Sequence, residues 1–295
     1  MELAPIILFV YNRPEHTRQT VASLQKNHFA SNSELFIYSD GPRSNDHRAS
    51  VSQVRDYVAK ITGFKQVKIV HREKNMGLAQ NIKDGVTSML KTYKNVIVLE
   101  DDMILSPYFL EYMNHSLQKY EQVEEVISIH GYCVPIQYPQ ATFFLRGADC
   151  WGWATWQRGW KLFNDDASLL LEKLTQQKLL YAFDLDGTYD YSGMLRHQID
   201  GRVNSWAIKW YASAFLANKL TLYPAQSLVQ NIGGDGSGTH LQNAEHNNTP
   251  LNNHRILLQD IPIEESYSAR KLICQHHSKY QNLKGKLKRI LKWGY

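Results

Sequence analysis

Three adjacent carboxylates, Glu100, Asp101 and Asp102, follow an apolar segment at residues 95–99. Adjacent carboxylates repel one another, so they are stable only where water solvates them or a cation neutralises them. Hard divalent ions such as Mn²⁺ and Mg²⁺ prefer oxygen ligands and often share them with a diphosphate. A solvated acidic junction is the alternative. The position of the three residues at the end of a predicted strand favours a Mn²⁺ or Mg²⁺ site.

Polar side chains also lie at the ends of three other predicted strands in the first half of the chain. Arg13, Asp40 and Arg72 end the segments at residues 5–11, 35–38 and 67–70, and helical patterns at 14–26, 50–61 and 77–93 separate the four segments. Alternating strands and helices are typical of an α/β protein with a doubly wound parallel sheet. Ligands bind such sheets outside the carboxyl ends of the strands, so we expect one binding site at this edge.

The second half of the chain has a less regular pattern. It contains a helical pattern near residues 205–217, a strand at 220–223 and a glycine-rich segment at 233–240. The backbone N–H groups of such a loop can close over phosphates. His240, at its end, is therefore a candidate metal or phosphate ligand, with an ordinary surface histidine as the alternative. No internal repeat or linker is evident, so we expect one catalytic unit.

A tryptophan cluster lies between these two regions. Its members are Trp151, Trp153, Trp156 and Trp160. Their spacing predicts a turn followed by a helix. Tryptophan rings stack well on the apolar faces of sugars, but core packing is their commoner use, and we expect at least half of them in the core.

The acidic segment at residues 98–112 resembles the Glu-Asp-Asp form of the DxD motif in N-acetylglucosaminyltransferase I-like enzymes. These enzymes are nucleotide-sugar glycosyltransferases with the GT-A fold. Further segments resemble their opening strand (5–16), uracil-contacting aspartate (39–41), segment before the metal strand (72–81), Gly-Trp turn beside the acceptor (150–153) and mobile loop over the nucleotide (223–240). The resemblance implies a Rossmann-like, mostly parallel sheet with helices on both faces and an elaborated C-terminal acceptor-side half.

The same resemblance implies roles for individual residues. Asp102 would coordinate an ion that bridges the donor diphosphate, and Asp101 would contact the ribose or the sugar hydroxyls. Asp40 would accept a hydrogen bond from the uracil imide, with a turn-forming aspartate as the alternative. Arg13 and Arg72 would pair with phosphate or stack on the base, with surface ion pairs as the alternative. Further candidates are Tyr11, Asn75, Leu78, Asn81 and Glu100 for nucleotide-sugar binding, and Trp151 and Trp153 for acceptor binding.

The general base is the point at which this sequence departs from the family it resembles. An inverting transferase needs a carboxylate that deprotonates the acceptor hydroxyl. In the family an Asp pair just after a Trp provides it, whereas the corresponding segment here, residues 206–210, contains no acid. Asp190 and Asp149 are the nearest candidates, and either could equally be a surface acid. We expect an inverting mechanism, with a retaining one left open.

The positive charge of the chain is concentrated at its C-terminal end. The net charge is +5, but eight of the 33 basic residues follow Glu265, where no acidic residue occurs, so residues 1–269 carry −3. This distribution argues against a nucleic-acid partner. Three cysteines without a CxxC pair, an opening apolar run too short to span a bilayer and the lack of a basic leader predict a cytoplasmic protein.

The basic tail at residues 266–295 has an amphipathic helical pattern. One face contains Leu283, Leu287, Ile290 and Leu291, with Trp293 beside them. Such a helix is typical of a membrane interface, where anionic lipids attract Lys and Arg; a solvated or partner-binding helix is the alternative. We therefore expect peripheral contact through residues 280–295 with the cytoplasmic face of a bacterial inner membrane.

Together these observations predict a metal-dependent glycosyltransferase. It would transfer a sugar from a UDP-sugar to a hydroxyl of a glycan, including lipid-linked glycans, in cell-surface polysaccharide or glycoconjugate synthesis. We expect a nucleotide-sugar half at 1–115, an acceptor half at 116–265 with a closing loop at 231–241, and the tail at 266–295. One alternative is a sugar-nucleotide pyrophosphorylase, although residues 12–16 lack the Gly-rich basic loop of that group. The other is a non-catalytic glycan-binding protein on the same fold.

Overall fold

The computed structural model describes residues 2–236 and 249–292, with residues 280–292 described by their backbone alone. The strands are β1 Ile6–Val10, β2 Glu34–Ser39, β3 Gln66–His71, β4 Asn95–Glu100, β5 Met103–Leu105, β6 Val126–His130, β7 Thr142–Arg146, β8 Trp153–Trp156, β9 Leu220–Pro224 and β10 Val229–Asn231. The α-helices are α1 Pro14–Gln25, α2 Arg48–Val58, α3 Leu78–Met89, α4 Phe109–Lys119, α5 Gln157–Trp160, α6 Ala167–Gln176, α7 Leu180–Phe183, α8 Tyr191–Ile199, α9 Trp206–Leu216 and α10 Tyr267–Lys292.

The central sheet contains eight strands in the order β3-β2-β1-β4-β8-β6-β9-β7. The first four are parallel to one another, as the alternating pattern predicts. β8 runs antiparallel to both β4 and β6, while β6 and β9 are parallel. The strands β5 and β10 form a separate antiparallel pair. The predicted α/β fold with a mostly parallel sheet is therefore confirmed.

Both faces of the sheet are covered because its central strands are apolar on both sides. In β1, Ile6 and Leu8 belong to one core cluster, which also contains residues of α1, α2 and α4. Ile7 and Phe9 belong to another, which contains residues of α3 and α9. Such continuous apolar strands are typical of parallel sheets with helices on both faces.

The tryptophan segment differs from its prediction. Instead of a turn followed directly by a helix, residues 153–156 form β8 in the middle of the sheet, and only the four residues Gln157–Trp160 are helical. Pairing with β4 and β6 on either side decides this, and spacing along the chain does not reveal such pairing. The predicted helices at 50–61 and 77–93 are also shorter, ending at Val58 and Met89.

Two further observations concern cysteines and membranes. Cys133, Cys150 and Cys274 are all free thiols. Within residues 2–236 and 249–292, no helix combines the length and the hydropathy needed to cross a bilayer.

Candidate active site

Three chain segments meet at the carboxyl edge of the sheet because β8 lies between β4 and β6 and runs antiparallel to both. Trp153, at the start of β8, lies opposite Val98 of β4 and His130 of β6. The residues just before β8 therefore lie beside those that follow β4 and β6. A hydrogen bond of 2.7 Å from the Gly131 N–H to the Gly152 carbonyl continues this pairing beyond the strands. The acidic motif, the end of β6 and the segment at 149–152 thus border one region.

The acidic motif is held in a tight turn between β4 and β5. Thr20 of α1 fixes this turn: its hydroxyl donates to the Asp101 carbonyl at 2.8 Å and accepts from the Met103 N–H at 3.0 Å. Asp101 and Asp102 are only 4% and 7% exposed. The solvated acidic junction considered from the sequence is therefore excluded for these two carboxylates.

Arg13 compensates part of the buried negative charge. Its guanidinium donates to Asp101 and, at 2.9 Å, to Oδ2 of Asp102. Burial alone would lower the pKa of Arg13, but the two carboxylates outweigh it and raise the pKa. Burial, reinforced by the charge of Asp102, raises the pKa of Glu100 to about 8, and burial raises that of Asp101 despite Arg13. The predicted phosphate or base contact of Arg13 is replaced here by an ion pair with the motif itself.

The motif retains features that fit a divalent cation. Oδ1 of Asp102 is buried and has no hydrogen-bond partner among the described residues. Oδ2 of the same residue lies so close to Gly233 that a Cβ at position 233 would be 2.2 Å away from it. One arginine faces three carboxylates, so a hard cation would complete the charge balance. No preformed group of three or more His, Cys, Asp or Glu ligands occurs in the described part of the chain.

The start of the glycine-rich segment lies beside the acidic motif. The Ile232 N–H donates to the Asp102 carbonyl at 2.8 Å, and a carboxylate oxygen of Asp235 lies 3.2 Å from Nε2 of His16 in α1. The first part of the predicted closing loop therefore lies on the carboxylates. His240, the predicted metal or phosphate ligand, lies outside the described residues.

Asp40 anchors a neighbouring loop in this structure. Its buried carboxylate accepts four hydrogen bonds, from the N–H groups of Gly41, Met76 and Gly77 and from the side-chain amide of Asn75, at 2.8–3.1 Å. A carboxylate offers about four lone-pair sites, so these donors saturate it. Asp40 thus holds residues 75–77 against the end of β2, and its predicted uracil contact stays a prediction.

The other nucleotide-side candidates are also connected within the protein. Arg72 pairs with Asp84, donates to Asn81 at 3.1 Å and lies over the ring of Tyr38 at 5.2 Å. The hydroxyl of Tyr11 forms a 2.6 Å hydrogen bond with the Nδ1 atom of His47. Leu78, at the start of α3, is 42% exposed. Arg72 therefore forms an ion pair in this structure, which is the alternative considered from the sequence.

On the acceptor side, the structure separates the two candidate tryptophans. Trp153 is 1% exposed and stacks on Trp206 at 5.3 Å. It is a core residue, and its predicted acceptor contact is corrected. Trp156 and Trp160 are also buried, as expected for at least half of the cluster. Trp151 is half-buried, with its ring 4.7 Å from that of Tyr132.

The two candidate bases occupy different environments. Asp190 is exposed and caps α8 by accepting a hydrogen bond of 2.9 Å from the Gly193 N–H. Asp149 lies in the segment that meets the acidic motif, and its side chain is 38% exposed. Burial raises the pKa of the Cys150 thiol, and the charges of Asp149, Glu100 and Asp102 raise it further. Cys150 therefore lies between Asp149 and the acidic motif. Asp149 is therefore the better candidate for the general base, because it lies in the segment that meets the acidic motif, whereas Asp190 caps a helix.

His130 is the residue of this site that the sequence reasoning missed. Its Nε2 atom lies 3.4 Å from Oδ2 of Asp149. A weak signal was available, since residues 126–130 are mostly apolar, with Ser128 in the middle, and end in a polar side chain like the predicted strands.

Comparison with protein-family models gives one match, to "Glycosyl transferase family 2", over residues 6–168. The match covers more than half of the chain. The chain belongs to glycosyl transferase family 2. In this family 2 chain the matched segment contains Arg13, the acidic motif, His130 and Asp149, whereas Asp190 and the glycine-rich segment lie beyond it. Comparison with curated proteins gives no match.

Solved structures show more distant similarity to this family 2 chain. S. aureus TarS 1-349 is 15% identical, with a TM-score of 0.37, 54% of this chain covered and 48% of the TarS chain. Pyrobaculum calidifontis mannosyltransferase PcManGT with GDP-Man and Mn²⁺ is 12% identical (TM-score 0.31; 44% and 35% covered). A UDP-glucose pyrophosphorylase complexed with UDP-glucose is 13% identical (TM-score 0.32; 55% and 79% covered). Our chain thus spans about half of the TarS fragment, and its family rests on the sequence model.

Proposed function

We propose that this family 2 glycosyltransferase is metal-dependent, takes a UDP-sugar as donor and transfers the sugar with inversion to a hydroxyl of a glycan. The observation that carries the proposal is the unpartnered, buried Oδ1 of Asp102, at a sheet edge that Asp149 also borders. The choice of UDP rests on the sequence resemblance.

On the donor side, Asp102, with Asp101 beside it, would hold a Mn²⁺ or Mg²⁺ ion, which when bound would neutralise the charge of the donor diphosphate. Arg13 is bonded to both carboxylates and can turn from them to a phosphate. Asp40 keeps residues 75–77 in place as one wall of the nucleotide site.

On the acceptor side, we propose Asp149 as the general base. Its Oδ1 atom is held by the Cys150 N–H at 2.8 Å, and the partly exposed side chain leaves Oδ2 for the acceptor. Oδ2 would take the hydroxyl proton while the acceptor oxygen bonds to the anomeric carbon and the nucleoside diphosphate leaves with the bonding electrons. The ring of Trp151, beside Tyr132, would support the acceptor sugar.

The proposal is tested by measuring UDP release from a panel of UDP-sugars, with Mn²⁺ or with EDTA. CDP-, GDP- and dTDP-sugars serve as donor controls. We expect release only with a UDP-sugar and metal, and a loss of about 10³-fold or more in the Asp102→Asn variant because transition-state charge is no longer neutralised. Asp56→Asn, at an exposed carboxylate of α2, is the matched control and should be unaffected.

Other outcomes identify the alternatives. Release of UTP that depends on pyrophosphate would indicate a pyrophosphorylase. Glycan binding without turnover of any donor would indicate a non-catalytic glycan-binding protein. Full activity of the Asp102→Asn variant would contradict the metal site.

We also propose a location. Residues 280–295 would lie on the cytoplasmic face of a membrane with anionic lipids, where lipid-linked acceptors for polysaccharide or glycoconjugate synthesis would be within reach. Its support is the amphipathic pattern of residues 280–295.

A further inference from the structure

His130 is a fully buried polar side chain without a hydrogen bond. It is 0% exposed, and neither ring nitrogen has a hydrogen-bond partner among the residues that the structure describes. Burying a polar group without a partner costs free energy, so native proteins rarely keep one without a use. A phenylalanine or leucine would fill the same space without this cost. The question is therefore what the imidazole does there.

The group that faces the imidazole is the proposed base. Nε2 of His130 lies 3.4 Å from Oδ2 of Asp149, just beyond good hydrogen-bonding distance. The other oxygen of Asp149 already accepts from the Cys150 N–H at 2.8 Å. Catalytic hydrogen bonds are often long before substrates bind and shorten in the complex. The carboxylate is thus fixed at Oδ1, with the imidazole next to its free oxygen.

The imidazole itself is held in place. The backbone of His130 pairs with β8, and its ring meets Tyr132 and Tyr223 edge-on, with centroids 6.2 and 5.0 Å away. These two tyrosines and Asp149 are the titratable groups that face it. Burial lowers the pKa of His130, against the opposing effect of Asp149, so the ring is neutral and carries one N–H. A rigid neutral ring can donate that N–H without adding a charge to the site.

We propose that His130 is a positioning residue for Asp149: its Nε2–H donates to Oδ2 and orients the carboxylate toward the acceptor hydroxyl. The inference rests on the proposed function, because it takes Asp149 as the base. Oδ2 has two lone pairs, so one accepts from His130 while the other takes the acceptor proton. Misplacing a catalytic group by about 1 Å can cost about 100-fold in rate, so such a contact has a measurable effect.

The experiment compares His130→Phe, which removes the donor, with His130→Gln, whose amide N–H lies near the position of Nε2. We expect His130→Phe to lower kcat about 10- to 100-fold with the KM for the donor unchanged. His130→Gln should restore most of this loss. Both variants are checked by thermal unfolding, and His254→Gln, at an exposed histidine, is the control.

The double variant distinguishes positioning from packing. If His130 acts through Asp149, then His130→Phe has no further effect on the residual rate of Asp149→Asn. A packing role predicts additive losses, a parallel fall in stability and no rescue by His130→Gln. Any of these three results would overturn the inference.

The two proposals fail in different ways. If the wild-type chain is active and Asp149→Asn is not, while His130→Phe retains the wild-type kcat, then only the positioning role is wrong. If Asp149→Asn is fully active, both the base and its positioning residue are wrong. If the wild-type chain turns over no nucleotide sugar, the proposed function fails and the inference with it.

Discussion

The donor and acceptor sides of this sheet edge differ in how their polar groups are satisfied. On the donor side, Asp40 accepts four hydrogen bonds, and Asp101 and Asp102 share Arg13. On the acceptor side, the imidazole of His130 has no hydrogen bond among the described residues, and the side chain of Asp149 accepts one, from the Cys150 N–H. Both sides are built on strand ends of the same sheet.

The difference indicates that the two sides are arranged in different ways before substrates bind. The donor side is already stabilised, so the proposed donor and metal ion would have to replace the contacts of Arg13 with the carboxylates. The acceptor side keeps unpaired groups that a second substrate can complete. Mutations on the donor side should therefore affect stability as well as binding, whereas mutations on the acceptor side should affect mainly the rate.

The largest effect on stability is expected for Asp40→Ala. It leaves the N–H donors of Gly41, Met76 and Gly77 without their acceptor; the buried donor of Gly41 costs about 1–3 kcal/mol, and the two half-buried donors cost less. We expect the free energy of unfolding to fall by about 3 kcal/mol or more, measured by urea denaturation, and donor affinity to fall with it. The Asp56→Asn variant is the control. A stable Asp40→Ala variant with weaker binding of UDP alone would support the predicted uracil contact.

The pH dependence of stability tests the acceptor side. The pKa of folded His130 lies below the ordinary 6.5, so the unfolded chain takes up a proton first as the pH falls. Its contribution to stability is complete above pH 6.5 and declines below it, by up to about 1.4 kcal/mol per pH unit. We expect the unfolding free energy of the wild type minus that of His130→Phe to decrease as the pH is lowered from 7.5 to 5.5. A constant difference would mean that folding leaves the pKa of His130 unchanged, and a rising difference that His130 is protonated when folded.

A smaller effect is expected for Gly233→Ala. The added Cβ would lie 2.2 Å from Oδ2 of Asp102 and must displace this carboxylate or the loop. We expect about tenfold weaker metal-dependent donor binding by calorimetry, equivalent to about 1.4 kcal/mol. Gly236→Ala is the matched control, because a Cβ there meets no described atom within 4 Å, although its φ of +88° adds some strain. Equal losses in both variants would indicate loop strain instead of contact with Asp102.

The smallest effect on transfer is expected from deleting residues 280–295. The truncated chain should transfer sugar to a soluble acceptor analogue at the wild-type rate but no longer bind anionic vesicles, because the basic residues and the apolar face are removed. Co-sedimentation at low salt measures the binding. A variant with Lys284, Lys286 and Lys288 replaced by Gln separates charge from helix length. Unchanged vesicle binding by the truncated chain would disprove the membrane contact.

The sequence by itself determined the parallel half of the fold and the position of the acidic motif. Apolar runs ending in polar residues mark β1, β2 and β4 because a strand buried on both faces must be apolar until it reaches the sheet edge. The pattern of apolar and polar residues within each segment was enough to predict these strands. The roles of Arg13 and Asp40 were less predictable, since an arginine or aspartate at a strand end has the same sequence pattern whether it binds a ligand or another residue.

The acceptor side was decided by the tertiary structure alone. Inserting β8 between β4 and β6 buries Trp153 and brings His130 next to Asp149, two residues that are distant in the chain. Strand order depends on which surfaces of the whole chain pack together, and this is not encoded in the periodicity of any one segment. The strand ends of the donor side could be predicted because the pattern within each segment marks where that strand ends, whereas the pair of His130 and Asp149 exists only once the sheet has formed.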